Sequence, residues 1–251
     1  MLITIVTCSY NSERTIERTI KSILAQNFDN YEYLIIDGKS SDRTLEIIKQ
    51  YEPLFKGKMR WISEKDHGIY DAMNKGIKLS KGDYIWLVNS DDYLESNAME
   101  IVADRIQKKQ PDIICGSIEY FSENSDNRYV FKYTPQESEN EYRKKRMGIV
   151  HPATIVARQI YDKYGLYDSR FYISADMDWF LRIRENNIPI DFIDIKLSNM
   201  SDGGISSQSN NVKKRIHDWN ILFTKHTKNK IEYWRFMIHR IVTYYKTFIF
   251  K

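Results

Sequence analysis

The chain has 251 residues, 42% of them hydrophobic and 29% charged, which suits one large soluble domain with or without an appendage and excludes a disordered or fibrous chain. The net charge of +4 hides an asymmetry: residues 1–210 carry 28 Lys and Arg against 32 Asp and Glu, whereas residues 211–251 carry 10 against 2. Cys8 and Cys115 both lie in apolar runs with no His at metal spacing, as buried thiols of a reducing compartment do.

The first residues, Met1-Leu2-Ile3-Thr4-Ile5-Val6, have no basic leader and predict a strand over 3–8, not a signal peptide. A helix follows over 13–26, with Ile16, Ile20, Ile23 and Leu24 at helical spacing. Then come a strand at 33–36, a helix at 44–51, a strand at 60–63, a helix at 68–79, a strand at 84–88, a helix at 96–109 and a strand at 112–118. Such alternation predicts βαβ units and a mostly parallel sheet covered by helices. Ligands of such sheets bind beyond the carboxyl ends of the strands.

Those ends are rich in polar groups: Thr7-Cys8-Ser9-Tyr10-Asn11-Ser12, Asp37-Gly38, Glu64-Lys65-Asp66 and Asn89-Ser90-Asp91-Asp92. Each has a plain structural reading, with Ser12 as a helix cap and Asp91 as a turn residue, but four ends of the same character predict a shared cleft. No G-x-G-x-x-G follows the first strand and no Gly-Lys-Ser/Thr phosphate loop is present, which removes support for NAD binding and ordinary ATP hydrolysis. Asp37 ends the second strand, where an acid can accept hydrogen bonds from a ribose or base. The adjacent Asp91 and Asp92, expected at the solvent edge, suit a hard cation such as Mg²⁺ or Mn²⁺ held against a diphosphate.

The segments "IVTCSYNSERTIERTIKSILAQNF", "YLIIDGKSSDRT", "SEKDHGIYDAMNKGI", "GDYIWLVNSDDYL" and "HPATIV…ISADMDWFLR" occur in this order over residues 1 to about 205. Together they resemble the family-2 glycosyltransferases with the GT-A fold, particularly bacterial enzymes that build cell-surface polysaccharides. The resemblance implies an α/β, Rossmann-like, mostly parallel central sheet flanked by helices, with a C-terminal helical extension. It divides the chain into a catalytic domain over 1–210, with a nucleotide half to about 118 and an acceptor half from 119, and a basic amphipathic tail over 211–251. It places Thr7, Ser9, Tyr10, Asn74, Ser90 and Asp91 along the nucleotide, sets Asp37 against uracil or ribose, and gives the divalent cation to Asp92 with Asp91. It implies a nucleotide-sugar donor, UDP-linked for preference, and a glycan or polyprenyl-linked acceptor.

Inverting transfer needs a carboxylate that takes the proton of the attacking hydroxyl. The candidates are Asp176 and Asp178 in Ser174-Ala175-Asp176-Met177-Asp178-Trp179; on a helix they point about 200° apart and cannot share a cleft. Asp176 shares its side with Trp179, Phe180 and Ile183, and burial there would raise its pKa toward the working pH; Asp178 lies with Leu181, Arg182 and Glu185. The resemblance also puts the catalytic acid on Asp176. His151 reads as a structural residue, and the glycines of Ser201–Ser206 would let a loop close over a diphosphate.

In the tail, a helical wheel sets Glu232, Arg235, His239 and Lys246 on one side and Trp234, Met237, Ile238, Ile241, Tyr245 and Phe248 mostly elsewhere. This predicts an amphipathic helix lying on an anionic membrane, on the inner, cytoplasmic face, with nucleic acid excluded as a partner. Two other functions remain open: a non-catalytic sugar-nucleotide or glycan-binding module, and a sugar-phosphate nucleotidyltransferase.

Overall fold

The computed structural model describes residues 1–123, 125–202 and 211–248, with the side chains of 244–248 left out. In chain order the first half runs β1 (Ile3–Ser9), α1 (Ile16–Leu24), β2 (Tyr31–Asp37), α2 (Thr44–Tyr51), β3 (Met59–Ser63), α3 (Ile69–Leu79), β4 (Tyr84–Leu87), β5 (Tyr93–Leu94) and α4 (Ala98–Lys109). The second half adds β6 (Ile113–Ser122), β7 (Ser125–Phe131), α5 (Pro135–Arg143), β8 (Thr154–Ala157), α6 (Arg158–Tyr164), α7 (Ala175–Glu185), β9 (Asp191–Ser201), α8 (Val212–His226) and α9 (Lys230–Phe248).

All the strands belong to one sheet in the order β3-β2-β1-β4-β8-β6-β9-β5, with β7 hairpinned onto β6. β3, β2, β1 and β4 are mutually parallel. Every residue of β1 and β2 is buried, as expected of strands covered on both faces by helices. Ile16, Ile20 and Ile23 put the predicted apolar stripe of α1 into the core; burying each contributes about 1.5–3 kcal/mol. α3 lies so close to β1 that a Cβ on Gly76 would sit 2.3 Å from Val6.

β8 is inserted antiparallel between β4 and β6, and β9 runs parallel to β6, so the sheet continues past β4 into a mixed half. Sequence alternation did not anticipate this, because β8 is four residues long and reads as an ordinary apolar run.

The basic tail splits in two. α8 buries Asp218, Trp219, Leu222, Phe223 and His226 against the rest of the fold. α9 buries Met237 but leaves Ile231, Trp234, Ile238 and Val242 exposed. These four recur at helical spacing and form an apolar stripe open to solvent. Both faces of α9 are therefore partly apolar, which differs from the single apolar side expected. Tyr245, Lys246 and Phe248 lie outside the residues whose side chains are described. No described helix is long and apolar enough to cross a membrane.

Candidate active site

Parallel register brings Ser9 beside Asp37 and Asp37 beside Ser63 at the carboxyl ends of β1, β2 and β3. Asp37 is completely buried. It accepts from Ser9 Oγ (3.1 Å), Ser40 Oγ (2.5 Å), Ser40 N (2.9 Å) and Ser63 Oγ (2.6 Å). A carboxylate has about four acceptor sites, and here all are used inside the protein. Asp37 thus ties three strand ends together, and Ser40 is part of this clamp. Thr7 is also fully buried and accepts from Tyr33 Oη (3.2 Å). Tyr10, 67% exposed, faces the opening beside Gly38, where a Cβ would come within 3.1 Å of Asp66 and 3.3 Å of the Tyr10 ring. Asp66 holds Lys75 at 2.6 Å, and that carboxylate first among Lys75's neighbours pushes its ammonium pKa up.

The β4–β5 turn carries the acidic pair. Asp92 is 1% exposed, not at the solvent edge, because Thr19 Oγ1 donates to its carbonyl (2.6 Å) and fastens the turn onto α1. Its side chain accepts from Ser201 N (3.1 Å) and Asn89 Nδ2 (3.2 Å). Arg18, the cation beside the pair, donates to the Asp91 carbonyl (2.9 Å) and pairs with Glu123 (2.7 Å), and its charge partly offsets the raised pKa of both carboxylates. Burial raises the pKa of Asp91, and burial followed by the charge of Asp91 raises that of Asp92 well above the usual range. Ser12 does not cap α1, whose N-cap is Thr15; its hydroxyl meets Ser90 Oγ at 2.8 Å and joins the β1 and β4 loops.

Two adjacent, mutually repelling carboxylates, Asp92 buried and Asp91 half-buried, with no ion pair to either among the described residues, fit a divalent cation. Among the described residues no group of three or more His, Cys, Asp or Glu could hold such an ion alone. Ser201 and Asp202, at the root of the predicted closing loop, are described; residues 203–206 lie outside the described residues.

Asp176 sits at the start of α7, and its surroundings hold that helix end rigidly. Asp218 of α8, completely buried, accepts from Tyr172 N (3.0 Å), Ile173 N (2.7 Å) and Ser174 N (2.9 Å). Tyr70 Oη donates to the Ile173 carbonyl (2.5 Å) and lies 3.3 Å from Asp176 Oδ1, which also accepts from Met177 N (2.8 Å). Both bonds fall on Oδ1; among the described residues none reaches Oδ2. Burial raises the Asp176 pKa, against the opposing influence of His151 and Tyr70. His151, its own pKa lowered by burial, touches Tyr167 Oη at 3.3 Å. With Asp176, Tyr167 and Trp179 it lines a cavity about the size of one water molecule.

Asp178 is the more buried of the two acids, which reverses the expected order of packing. It is 0% exposed and holds Arg182 Nε (3.0 Å), Lys225 Nζ (2.7 Å) and His226 Nε2 (2.9 Å). Burial opposes its ionisation, but the bonds to His226 and Lys225 outweigh burial and lower its pKa. Asp178 thus fastens α7 to α8. The ground for choosing Asp176 is its unused oxygen, not its depth.

Asn74 is occupied elsewhere: its side chain bonds both the N–H (3.0 Å) and the carbonyl (2.8 Å) of Tyr167 and pins α3 to the 165–168 loop. Sequence reasoning missed Tyr70, Arg18 and Asp218. For Asp218 a signal existed, since it is one of only two acids in the basic tail.

A mixed sheet with a nucleotide-type edge, an acidic turn after β4 and a helix-borne carboxylate defines a GT-A glycosyltransferase. The chain belongs to glycosyl transferase family 2, whose model matches residues 4–165. It is 28% identical over 194 residues to an uncharacterised glycosyltransferase of Mycobacterium tuberculosis, covering 72% of this chain and 68% of that one. It is 27% identical to a PGL/p-HBAD biosynthesis glycosyltransferase of Mycobacterium bovis, covering 74% and 70%. Among solved structures, S. aureus TarS 1–349 in complex with UDP-GlcNAc superposes with a TM-score of 0.72 at 16% identity, covering 99% of this chain and 73% of TarS. The mannosyltransferase PcManGT of Pyrobaculum calidifontis, in complex with GDP-Man and Mn²⁺, superposes with a TM-score of 0.67 at 11% identity, covering 94% and 67%. At these identities the two structures speak for the fold.

Proposed function

We propose that this glycosyltransferase inverts: it moves a sugar from a nucleotide diphosphate donor, UDP-linked for preference, to a hydroxyl of a glycan or lipid-linked glycan in polysaccharide synthesis. The observation that carries the reading is the adjacent Asp91–Asp92 pair, with Asp92 buried and no ion pair to either carboxylate among the described residues. Asp92, with Asp91, would hold Mn²⁺ or Mg²⁺. Bound there, the cation would neutralise charge on the departing diphosphate. Asp176 Oδ2 takes the acceptor proton, while Tyr70 and Met177 N fix Oδ1 and the Asp218 bonds keep α7 from shifting. Tyr10 stacks at the open edge on the nucleotide side.

The exposed stripe of Ile231, Trp234, Ile238 and Val242 supports peripheral attachment to an anionic membrane, because the tail that bears it carries a net charge of +8. The intact chain should co-float with phosphatidylglycerol vesicles and release in high salt. Recovery in the aqueous fraction at low salt would refute that attachment. Trp234→Ala with Ile238→Ala should abolish flotation while leaving the core helix α8 in place.

The enzymatic reading is tested with a panel of labelled nucleotide sugars and Mn²⁺, following which nucleoside diphosphate appears. Release of UDP is expected. With pyrophosphate added, a nucleoside triphosphate with sugar 1-phosphate would indicate a nucleotidyltransferase, and no product from any donor would leave a binding module.

A further inference from the structure

Beside Asp176 the surface is crowded with positive charge. The residues after α5 meet α9 side-on: Arg146 Nη2 lies 2.5 Å from His239 Nε2, and Arg240 Nη2 donates to the Lys145 carbonyl (3.2 Å) and lies 3.3 Å from Met177 Sδ. Met177 follows Asp176 in the chain, and Met147 shares its cavity. The cluster therefore adjoins the proposed base.

Its charges are poorly compensated. Glu141 lies 3.8 Å from Arg146 but 2.9 Å from Lys144, which takes the closer bond. Arg240 bonds a carbonyl and a thioether, and Arg146 Nε is buried with no partner among the described residues. Burial, then the charge of Arg146, pushes the Arg240 guanidinium down to about 10; burial, then Arg146 and Arg240, lowers His239. Cations held together in this way repel, and an anion among them removes the repulsion. The donor diphosphate would have its counter-charge in the cation that Asp91 and Asp92 would hold, so the anion at this cluster belongs on the acceptor side. Ile238, adjacent to His239, belongs to the exposed apolar stripe.

We propose that Arg146, His239 and Arg240 form a subsite for a phosphate group of the acceptor, and that the hydroxyl offered to Asp176 is carried by a phosphate-linked amphiphile whose apolar part runs toward Ile238 and Trp234. The inference rests on the glycosyltransferase reading above.

The test is calorimetric titration of farnesyl phosphate into the full chain saturated with UDP and Mn²⁺, with farnesol and inorganic phosphate as comparison probes. Farnesyl phosphate should bind wild type. Arg146→Gln and Arg240→Gln should each weaken it about tenfold or more, and Arg240→Lys should recover part of the loss, which a purely packing role would not produce. Farnesol and inorganic phosphate should each bind at least about tenfold more weakly than farnesyl phosphate. Undiminished binding by both Gln variants overturns the subsite. Inorganic phosphate matching farnesyl phosphate overturns the amphiphile. Farnesyl phosphate binding that UDP and Mn²⁺ abolish would return the cluster to the donor. Binding is read without turnover, so its failure is distinguishable from failure of the donor-hydrolysis assay.

Discussion

Two strand ends of the same sheet carry acids treated in opposite ways. At the end of β2, Asp37 has both oxygens filled by Ser9, Ser40 and Ser63. After β4, Asp91 and the buried Asp92 lie side by side, and the nearby Arg18 bonds a backbone carbonyl and Glu123 instead. The same contrast recurs on α7, where Asp178 is bound by Arg182, Lys225 and His226 and Asp176 keeps an oxygen unused. An acid whose acceptor sites are filled from within is holding the fold. One left short of partners is available to a ligand or a proton.

The sharpest break in this contrast is a pair of variants on α7. Asp176→Asn keeps shape but cannot accept a proton, so transfer should fall by about 10²–10⁴ while donor binding persists. Asp178→Asn should instead destabilise the fold by about 1–3 kcal/mol in denaturant unfolding, because it weakens the bonds of a buried carboxylate to Arg182, Lys225 and His226. A dead Asp178→Asn of normal stability beside an active Asp176→Asn would invert the assignment.

Asp92→Ala should lower cation-dependent activity by about two orders of magnitude or more. Its melting temperature without metal should hold or rise, since a buried like-charge pair is relieved. Mn²⁺ should stabilise wild type, by about 2.7 kcal/mol at a hundred times its Kd, and leave Asp92→Ala unmoved.

Asp37→Ala should cost about 1–3 kcal/mol of stability through the stranded donors of Ser9, Ser40 and Ser63, and should affect donor KM only as far as the loops loosen. A large loss of donor affinity at unchanged stability would restore the nucleotide contact that the family resemblance implies.

The smallest effect is in pH. Because burial raises the Asp176 pKa and the base acts deprotonated, transfer should decline as pH falls through a value above the ordinary Asp value of about 3.9. Asp178 has the opposite sign: its depressed pKa contributes stability that is complete above the unfolded value and lost as pH falls through the folded one. An acid limb surviving in the residual activity of Asp176→Asn would detach it from Asp176.

The parallel half of the fold was legible because its strands alternate with helices long enough to show their period: α2 spans the predicted 44–51, and β1, β4 and α3 begin or end within a residue of expectation. The antiparallel half was not, because β5 has two residues, nothing in the apolar run of β8 marks its antiparallel insertion, and β7 is polar and exposed. Within the site, the sequence marked Asp92 and Asp176 as acids at positions where chemistry belongs. It could not show that Asp37, Thr7 and Asn74 bond partners up to 93 residues away, since hydrogen-bond occupancy is a property of the packed chain. The tail misled for a related reason: summed charge treats 211–251 as one object, whereas Asp218 and His226 bind α8 into the support of α7.

The contrast between the two strand ends is tested most directly by titrating Mn²⁺, with UDP present, into wild type, Asp92→Asn and Asp37→Asn in a calorimeter. The account predicts one Mn²⁺ site in wild type and in Asp37→Asn, and its loss in Asp92→Asn. Retention of Mn²⁺ by Asp92→Asn, or its loss in a folded Asp37→Asn, would contradict it.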